Sequence, residues 1–241
     1  MKKILYSAIS AMFLFLGSAC EKDDYDFKAT ANITVINAAA GLEPIKVNPG
    51  AGSGFAYSKA LNVNNYSSGV FGAFTGSNTI TVVKSTDTTT KLFQRTVDLQ
   101  AISTLYIAGT ATAVDTIFRT ETNFPYINSS AYNAENAMYI RFVNLSSNSG
   151  TVNVRISGGE TNEVTALPYK GISAFKKYAA LNDYQFEIMD ATNTKVLTSF
   201  SVSAGGTRYK TASIIFRGLI NPDSDEDPGP FPVGTFQVNY N

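Results

Sequence analysis

The chain has 241 residues, of which 44% are hydrophobic and 16% charged, so it is long and apolar enough to form one or two folded domains. Its 19 basic residues equal its 19 acidic residues, which excludes the strongly basic surface expected of a nucleic-acid-binding protein. It has no histidine and 1 cysteine, so Ser/His/Asp triads, Cys/His pairs and zinc sites cannot form, and we expect neither enzymatic activity nor a cofactor.

Residues 1–19 have the organisation of a secretory signal peptide. A Met-Lys-Lys head precedes an apolar run over residues 4–16, which is shorter than the roughly 20 residues that a transmembrane helix requires. Small residues occupy positions 17–19, as a signal peptidase requires beside the bond that it cuts. We predict cleavage before Cys20.

The small residues followed by Cys20 resemble the lipobox of bacterial lipoproteins, whose cysteine receives a diacylglyceryl group and becomes the first residue after cleavage. Leu16 lies one position further from the cysteine than the lipobox leucine usually does. The resemblance implies that Cys20 is lipidated, and two or three acyl chains would anchor the protein to a membrane permanently. The alternative is a free thiol behind an ordinary signal peptide.

Residues 20–30 are predicted to be the lipidated cysteine and an acidic tether. The run Glu21, Lys22, Asp23 and Asp24 resembles the lipoprotein export signal of Bacteroidota, a lysine followed by paired acids. That resemblance implies an outer-membrane lipoprotein whose folded part faces the cell exterior. The alternative is that the charged run is only a solvated tether.

Residues 31–121 and 137–241 are predicted to form two β domains, because short apolar runs alternate with polar residues and no long segment has helical period. In Ile33-Thr34-Val35 and Ile140-Arg141-Phe142, for example, apolar residues fall on one face and a polar residue on the other. This alternation predicts antiparallel sheets with one buried face and one solvent face.

The two predicted domains are copies of one repeat. Ile33-Thr34-Val35-Ile36-Asn37 matches Ile140-Arg141-Phe142-Val143-Asn144, and Leu105-Tyr106-Ile107-Ala108-Gly109 matches Ile214-Ile215-Phe216-Arg217-Gly218. Each copy has room for about seven or eight short strands, which predicts two tandem immunoglobulin-like antiparallel β-sandwiches. Asn37 and Asn144 are interpreted as strand-end residues whose side chains bond to nearby backbone.

These repeated strands resemble the tandem repeats of the domain-of-unknown-function 4397 family, which are common in exported bacterial lipoproteins. The second copy, with Arg141-Phe142-Val143-Asn144-Leu145-Ser146, carries the resemblance better than the first. The resemblance implies a fold and a location, and it implies no established activity.

The linker between the copies, residues 122–136, contains three aromatic residues among mainly polar ones. Phe124, Tyr126 and Tyr132 are predicted to pack where the domains meet. The alternative is a platform on which a sugar or peptide stacks, although the absence of tryptophan weakens the case for a dedicated glycan binder.

Two further patterns suggest modification or metal binding. Asp223, Asp225 and Asp227 alternate as in the start of a calcium loop, but Pro228 stands where the EF-hand glycine should be, and a solvated loop is favoured. Thr88 and Thr116 each follow an aspartate and resemble O-glycosylation acceptors of exported Bacteroidota proteins.

The sequence therefore predicts a non-catalytic, lipid-anchored surface protein, a binding or structural module whose partner is a glycan or another surface protein. A first alternative is a glycan-capture accessory lipoprotein of an outer-membrane polysaccharide uptake system. A second is a carboxylate-based hydrolase, which requires two acids converging in one cleft.

Overall fold

The computed structural model describes residues 28–51, 54–122, 124–125, 136–221 and 229–240. These residues form 16 β-strands, a single short α-helix and one turn of 3-10 helix over Tyr57–Lys59. In this part of the chain, no helix is long and apolar enough to cross a membrane. The prediction of an all-β protein built from sandwiches is confirmed.

The first sandwich consists of the first eight strands: β1 (Thr30–Asn37), β2 (Ile45–Asn48), β3 (Asn62–Val63), β4 (Ser67–Phe74), β5 (Gly76–Lys84), β6 (Lys91–Leu99), β7 (Ile102–Thr110) and β8 (Ala113–Thr120). We call the sheet with the order β4-β1-β7-β8 its inner sheet, and the sheet with the order β3-β2-β5-β6 its outer sheet.

The second sandwich consists of β9 (Ala137–Asn144), β10 (Val152–Ile156), β11 (Asn162–Leu167), β12 (Lys176–Ala179), β13 (Tyr184–Met189), β14 (Val196–Val202), β15 (Thr211–Arg217) and β16 (Gly234–Tyr240), with helix α1 (Ala204–Thr207) before β15. Its inner sheet has the order β12-β9-β15-β16 and its outer sheet the order β11-β10-β13-β14. The strand order is therefore the same in both sandwiches.

The strand registers also match between the copies. Ile33 of β1 lies opposite Ser103 of β7, and its counterpart Ile140 of β9 lies opposite Ala212 of β15. These two strand pairs are parallel, whereas the other pairs within each sheet are antiparallel. In addition, β1 and β2 lie in different sheets, whereas the first two strands of a constant-type immunoglobulin domain share one sheet.

Each sandwich has its own core between its inner and outer sheets. Successive side chains of a strand point to opposite faces, so every second residue of β1 and β9 enters a core. The first core includes Ile33, Val35, Val47, Val82 and Leu105, and the second includes Ile140, Phe142, Val154, Phe186 and Ile214.

A third apolar cluster joins the two inner sheets and includes Ile36, Tyr106, Val143, Ile215 and Val238. The sandwiches therefore stand back to back, and the molecule is a stack of four sheets. The expectation that the polar positions of β1 and β9 face solvent is wrong: Thr34 is 6% exposed and Arg141 is 0% exposed. Each inner sheet is covered on both faces because the other sandwich packs on it.

The first strand of each sandwich ends in an asparagine, Asn37 in β1 and Asn144 in β9, and both residues are fully buried. The Asn37 amide donates to the Val63 carbonyl at 3.4 Å, and the Asn144 amide donates to the Leu167 carbonyl at 3.2 Å. Each side chain thus links the end of an inner-sheet strand to an edge strand of the outer sheet. The interpretation of both residues as structural is confirmed.

Candidate binding groove and sandwich interface

A groove opens at one edge of the second sandwich, between β11 of the outer sheet and β12 of the inner sheet. It has a volume of about 510 Å³. The chain crosses from one sheet to the other between these strands, and β12 has only 4 residues, so the two sheet edges are not closed over the core. We call this feature the edge groove; its lining is Ile140, Phe142, Glu163, Val164, Ser173, Ala174, Phe175, Lys176 and Tyr178.

The polar part of the edge groove is a three-residue cluster. The Lys176 ammonium donates to Glu163 Oε2 at 2.5 Å, and the Tyr178 hydroxyl donates to the same oxygen at 2.9 Å. Burial raises the pKa of Tyr178 well above its ordinary value of 10.0, and the hydrogen bond to Glu163 raises it further. Tyr178 therefore remains a protonated donor, and the groove presents an ammonium and a carboxylate at its rim.

The apolar part of the edge groove is aromatic and firmly packed. The Tyr178 ring meets the Phe186 ring edge to face, with centroids 5.4 Å apart. The Phe175 ring lies 4.4 Å from the Arg141 guanidinium carbon and 5.5 Å from the Phe124 ring centroid. Because Arg141 belongs to the interface between the sandwiches, the floor of the groove and that interface share a contact.

Arg141 is the centre of the sandwich interface. Its guanidinium donates to both carboxylate oxygens of Glu121, at 2.8 and 2.6 Å, which is the bidentate geometry that arginine favours. It also donates to the hydroxyls of Tyr106 at 2.7 Å, Ser213 at 2.8 Å and Tyr240 at 3.1 Å. Arg141 thus connects Glu121 and Tyr106 of the first sandwich to Ser213 and Tyr240 of the second.

The charges of this buried pair are mutually stabilised. Burial raises the pKa of Glu121, but the hydrogen bonds and charge of Arg141 lower it by more, so the pKa lies below its ordinary value of 4.5. Burial lowers the pKa of Arg141, but the bonds to Glu121 raise it by more. Burial also raises the pKa of Tyr106 well above 10.0, so this hydroxyl stays protonated.

Two contacts at the surface also join the sandwiches. The Lys170 ammonium lies 3.0 Å from Asp115 Oδ2, and both side chains are about two-fifths exposed. Elsewhere, the Arg217 guanidinium carbon lies 3.8 Å from the Tyr66 ring centroid. Together with the Arg141 cluster, these contacts hold the two sandwiches in one orientation.

The structure brings one of the predicted platform residues to the sandwich interface. The Phe124 ring packs edge-on against Tyr240, with centroids 5.2 Å apart, as well as against Phe175. It lies half-buried against the third apolar cluster. Tyr126 and Tyr132 lie outside the described residues.

Several other predicted site residues lie outside the described residues: Cys20, Glu21, Lys22, Asp23 and Asp24 of the anchor, and Asp223, Asp225 and Asp227 of the calcium hypothesis. Within the described ranges, no three acidic or cysteine side chains lie close enough together to hold a metal ion.

The two predicted O-glycosylation residues occupy different settings. Thr88 is exposed in the turn between β5 and β6, where Asp87 Oδ1 accepts a hydrogen bond from the Thr89 amide at 3.0 Å. Thr116 lies inside β8 and is half-buried. Only Thr88 therefore lies at an exposed turn.

Sequence reasoning did not find the edge groove or the Arg141 cluster. For the cluster, the available signal was Arg141 itself, a charged residue flanked by apolar residues in the middle of a strong strand pattern. For the groove, the signal was the short gap in alternation around Pro168, before the two lysines of β12.

Comparison with known proteins identifies no family. No family model matches the chain, and no curated protein matches its sequence. One solved structure similar to it concerns alpha-glucan binding by a streptococcal virulence factor. The sequence identity is 8% and the TM-score is 0.26, and the match covers 79% of this chain and 92% of that chain. Another concerns alpha-glucan recognition by family 41 carbohydrate-binding modules from streptococcal virulence factors. Its sequence identity is 10% and its TM-score is 0.24, and the match covers 78% of this chain and 92% of that chain. These scores are too low to assign a ligand to this chain.

Proposed function

We propose that this protein is a non-catalytic binding module, held on the outer face of a bacterial outer membrane by lipid on Cys20, and that its ligand binds in the edge groove. The observation that carries the binding role is the composition of that groove. An aromatic and aliphatic floor is combined with a few convergent polar groups, which is the usual composition of a small-molecule or saccharide site.

The chemistry of the groove supports binding rather than hydrolysis. Of the residues that line it, Glu163 alone carries a carboxylate, whereas glycoside hydrolysis by carboxylates requires a pair. The Ser173 hydroxyl accepts a hydrogen bond from the Phe142 amide at 2.9 Å and donates to the Ala174 carbonyl at 3.0 Å. That hydroxyl is therefore occupied by backbone and is not positioned as a nucleophile.

Glycan capture is the ligand class that the groove favours. The face of a sugar ring is apolar and packs on aromatic rings, while its hydroxyls accept from an ammonium and donate to a carboxylate. Phe175 and Tyr178 supply the rings, and Lys176 with Glu163 supplies the polar partners. This combination supports the accessory role in polysaccharide uptake over a purely structural role.

Affinity electrophoresis in gels that contain single soluble polysaccharides tests the binding role. We expect at least one neutral glycan to retard the protein, and Glu163→Gln to weaken that retardation about tenfold, because it removes a charged hydrogen-bond acceptor. Glu187→Gln is the matched control, since Glu187 forms an ion pair with Arg155 on the outer sheet, away from the groove. Retardation that is absent with every glycan, or that is unaffected by Glu163→Gln, would contradict the proposal.

A separate experiment tests the anchor. Cells are grown with labelled palmitate and then treated with a proteinase that cannot enter them. We expect the wild-type protein to carry the label and to be digested on intact cells, and Cys20→Ala to lose the label and leave the membrane fraction. A Cys20→Ala variant that still partitions with membranes would show that the anchor assignment is wrong.

A further inference from the structure

In the part of the chain that the structure describes, strand β4 is an uncovered edge of the first inner sheet. None of its 8 residues, Ser67–Phe74, is charged, although the strand lies at the end of its sheet. Natural edge strands are usually protected by charges, shortness or cover, because their free backbone groups pair readily with another strand. Its counterpart β12 has that protection, with 4 residues of which the first two are lysines.

The free backbone groups of β4 can be assigned from its register. The Thr75 amide donates to the Ala29 carbonyl at 2.8 Å, next to the opposed pair Phe74 and Thr30. Hydrogen-bonded pairs alternate along an antiparallel ladder, so residues of odd number in β4 direct their backbone groups to β1. The amides and carbonyls that point away from the sheet belong to Ser68, Val70, Gly72 and Phe74, and of these the Phe74 carbonyl already accepts a hydrogen bond from the Asn78 side-chain amide at 2.8 Å.

The side chains of Val70 and Phe74 form an apolar strip with a notch at Gly72. Val70 is 59% exposed and Phe74 is 56% exposed, and both point to the same face as Gly72 between them. A Cβ atom placed on Gly72 would meet nothing within 4 Å, so the notch is open.

The strip continues the interface between the sandwiches. Val70 lines a small cavity of about 80 Å³ together with Phe124 and Tyr240, which belong to that interface. An apolar surface that runs on from an established interface onto a free strand edge is suited to a second protein surface rather than to water.

We propose that β4 pairs with β4 of a second copy of this chain, antiparallel and across a two-fold axis at Phe71. The two inner sheets, each of 4 strands, then form one continuous sheet. In this register Val70 lies opposite Gly72 of the partner subunit, and Ser68 lies opposite Phe74 of the partner subunit. All four residues with outward backbone groups are paired.

The register is favoured by shape and by charge. The Val70 side chain fills the notch at Gly72, and the two Phe71 rings become neighbours on the opposite face, where aromatic cross-strand pairs are stabilising. No like charges oppose each other, because β4 carries none. A symmetric pairing of this kind is self-complementary, as a two-fold interface requires.

The other edge strands are less suited to this role. Strand β6 contains Lys91, Arg95 and Asp98, and β8 contains Asp115 and Arg119. Strands β14 and β16 are uncharged, but they lie against each other at the edge of the second sandwich. Strand β3 has only 2 residues, and β11 contains Glu163.

Disulfide cross-linking of the full chain in cell membranes tests the register. In the double variant Ser68→Cys and Phe74→Cys, each new thiol faces its partner at the spacing that a disulfide accepts, so mild oxidation should give a band of twice the mass on a non-reducing gel. In the control Ser67→Cys and Phe74→Cys, the first thiol points to the other face of the sheet and the band should be absent.

A third variant separates pairing from folding. Val70→Pro removes an amide that points away from β1, so it leaves the ladder within the sheet intact but deletes two symmetric hydrogen bonds between copies. We expect it to weaken association about thirtyfold, measured by sedimentation of the purified full chain, with an unchanged thermal unfolding midpoint at dilutions where both proteins are monomeric.

Equal cross-linking of the two cysteine pairs would overturn the proposal, and so would a product whose mass is not twice that of the chain. If the cysteine variants do not fold, sedimentation of the unmodified full chain decides. A dimer that Val70→Pro weakens supports the pairing, and a monomer at every concentration up to the solubility limit excludes it.

Discussion

The two sandwiches have the same strand order and register but contribute different chemistry to the interface between them. Glu121 and Tyr240 occupy equivalent positions in the two copies. Each directly follows an equivalent residue: Thr120 lies opposite Ser103 in the first copy, and Asn239 lies opposite Ala212, the counterpart of Ser103, in the second. Both side chains bond to Arg141, at 2.6 and 3.1 Å. One copy thus supplies a carboxylate at the position where the other supplies a phenol.

The arginine itself is present in only one copy. The residue equivalent to Arg141 is Thr34, and both are buried against the opposite sandwich. The comparison teaches that the repeated residues specify the sandwich, whereas the residues that differ between copies specify how the sandwiches join.

The largest effect is expected from Arg141→Met. This substitution keeps an apolar stem but removes the buried cation from the Glu121 carboxylate, which is 3% exposed and keeps only the exposed Arg119, 3.2 Å away, as an ion-pair partner. We expect a loss of about 3–5 kcal/mol in the free energy of unfolding, because a buried charge that loses its buried partner is costly. Urea denaturation measures it. In the matched variant at the equivalent position, Thr34→Ala, the loss should be about 1 kcal/mol or less.

A second substitution tests the cause of that loss. Adding Glu121→Gln to Arg141→Met removes the carboxylate that has lost its buried cation, so the double variant should be more stable than Arg141→Met alone. If the double variant is the less stable of the two, then the destabilisation arises from lost packing around Arg141 and not from the stranded carboxylate.

The fold could be predicted from the sequence because its determinants are local. Alternation in Ile33-Thr34-Val35 or Ile140-Arg141-Phe142 needs only neighbouring residues to indicate a strand, and the matched asparagines and glycines mark where strands end. Alternation cannot show whether the polar face of a strand meets water or another sheet. The bonds of Arg141 span 20 residues to Glu121 and 99 to Tyr240, so its burial depends on packing between sandwiches.

The edge groove could not be predicted for a similar reason. Its lining comes from β9, β11 and β12, which belong to two different sheets, and from the segment just before β12. Whether the edges of two sheets close or remain apart depends on the length of β12 and on the path of the chain before it. Neither property follows from residue type alone.

The pH dependence of stability sharpens the assignment of charge at the interface. The pKa of Glu121 is lower in the folded protein than its ordinary value of 4.5, so its ionised form stabilises the fold at pH values above about 4.5. We expect Glu121→Gln to cost about 2–3 kcal/mol at pH 7, and the difference from wild type to shrink as the pH falls through the folded pKa. Urea denaturation from pH 3 to pH 7 measures it. A difference that is constant over this range would contradict ionisation of Glu121.

The buried asparagines allow the two sandwiches to be compared at equivalent positions. Asn144 donates to the Gly150 and Leu167 carbonyls at 3.1 and 3.2 Å and accepts from the Ser146 amide at 3.1 Å. Asn37 donates at 3.3 and 3.4 Å, and its Oδ1 has no partner among the described residues. We expect Asn144→Ala to cost about 2 kcal/mol and Asn37→Ala about 1 kcal/mol. Thermal and urea unfolding of both variants measures the difference, and equal losses would show that bond geometry does not distinguish the two sites.

The smallest effect is expected at the exposed ion pair between the sandwiches. Lys170 and Asp115 pair a cation with a carboxylate, as Arg141 and Glu121 do. Their side chains are 40% and 41% exposed, however, so water and salt screen their attraction. We expect Lys170→Ala to cost less than about 1 kcal/mol at low salt and to have no measurable effect in about 1 M salt, where the Debye length is only about 3 Å. A double-mutant cycle with Asp115→Asn isolates the pair from other contacts of either residue. A coupling energy as large as that of Arg141 with Glu121, or one that salt leaves unchanged, would mean that burial is not what separates the two pairs.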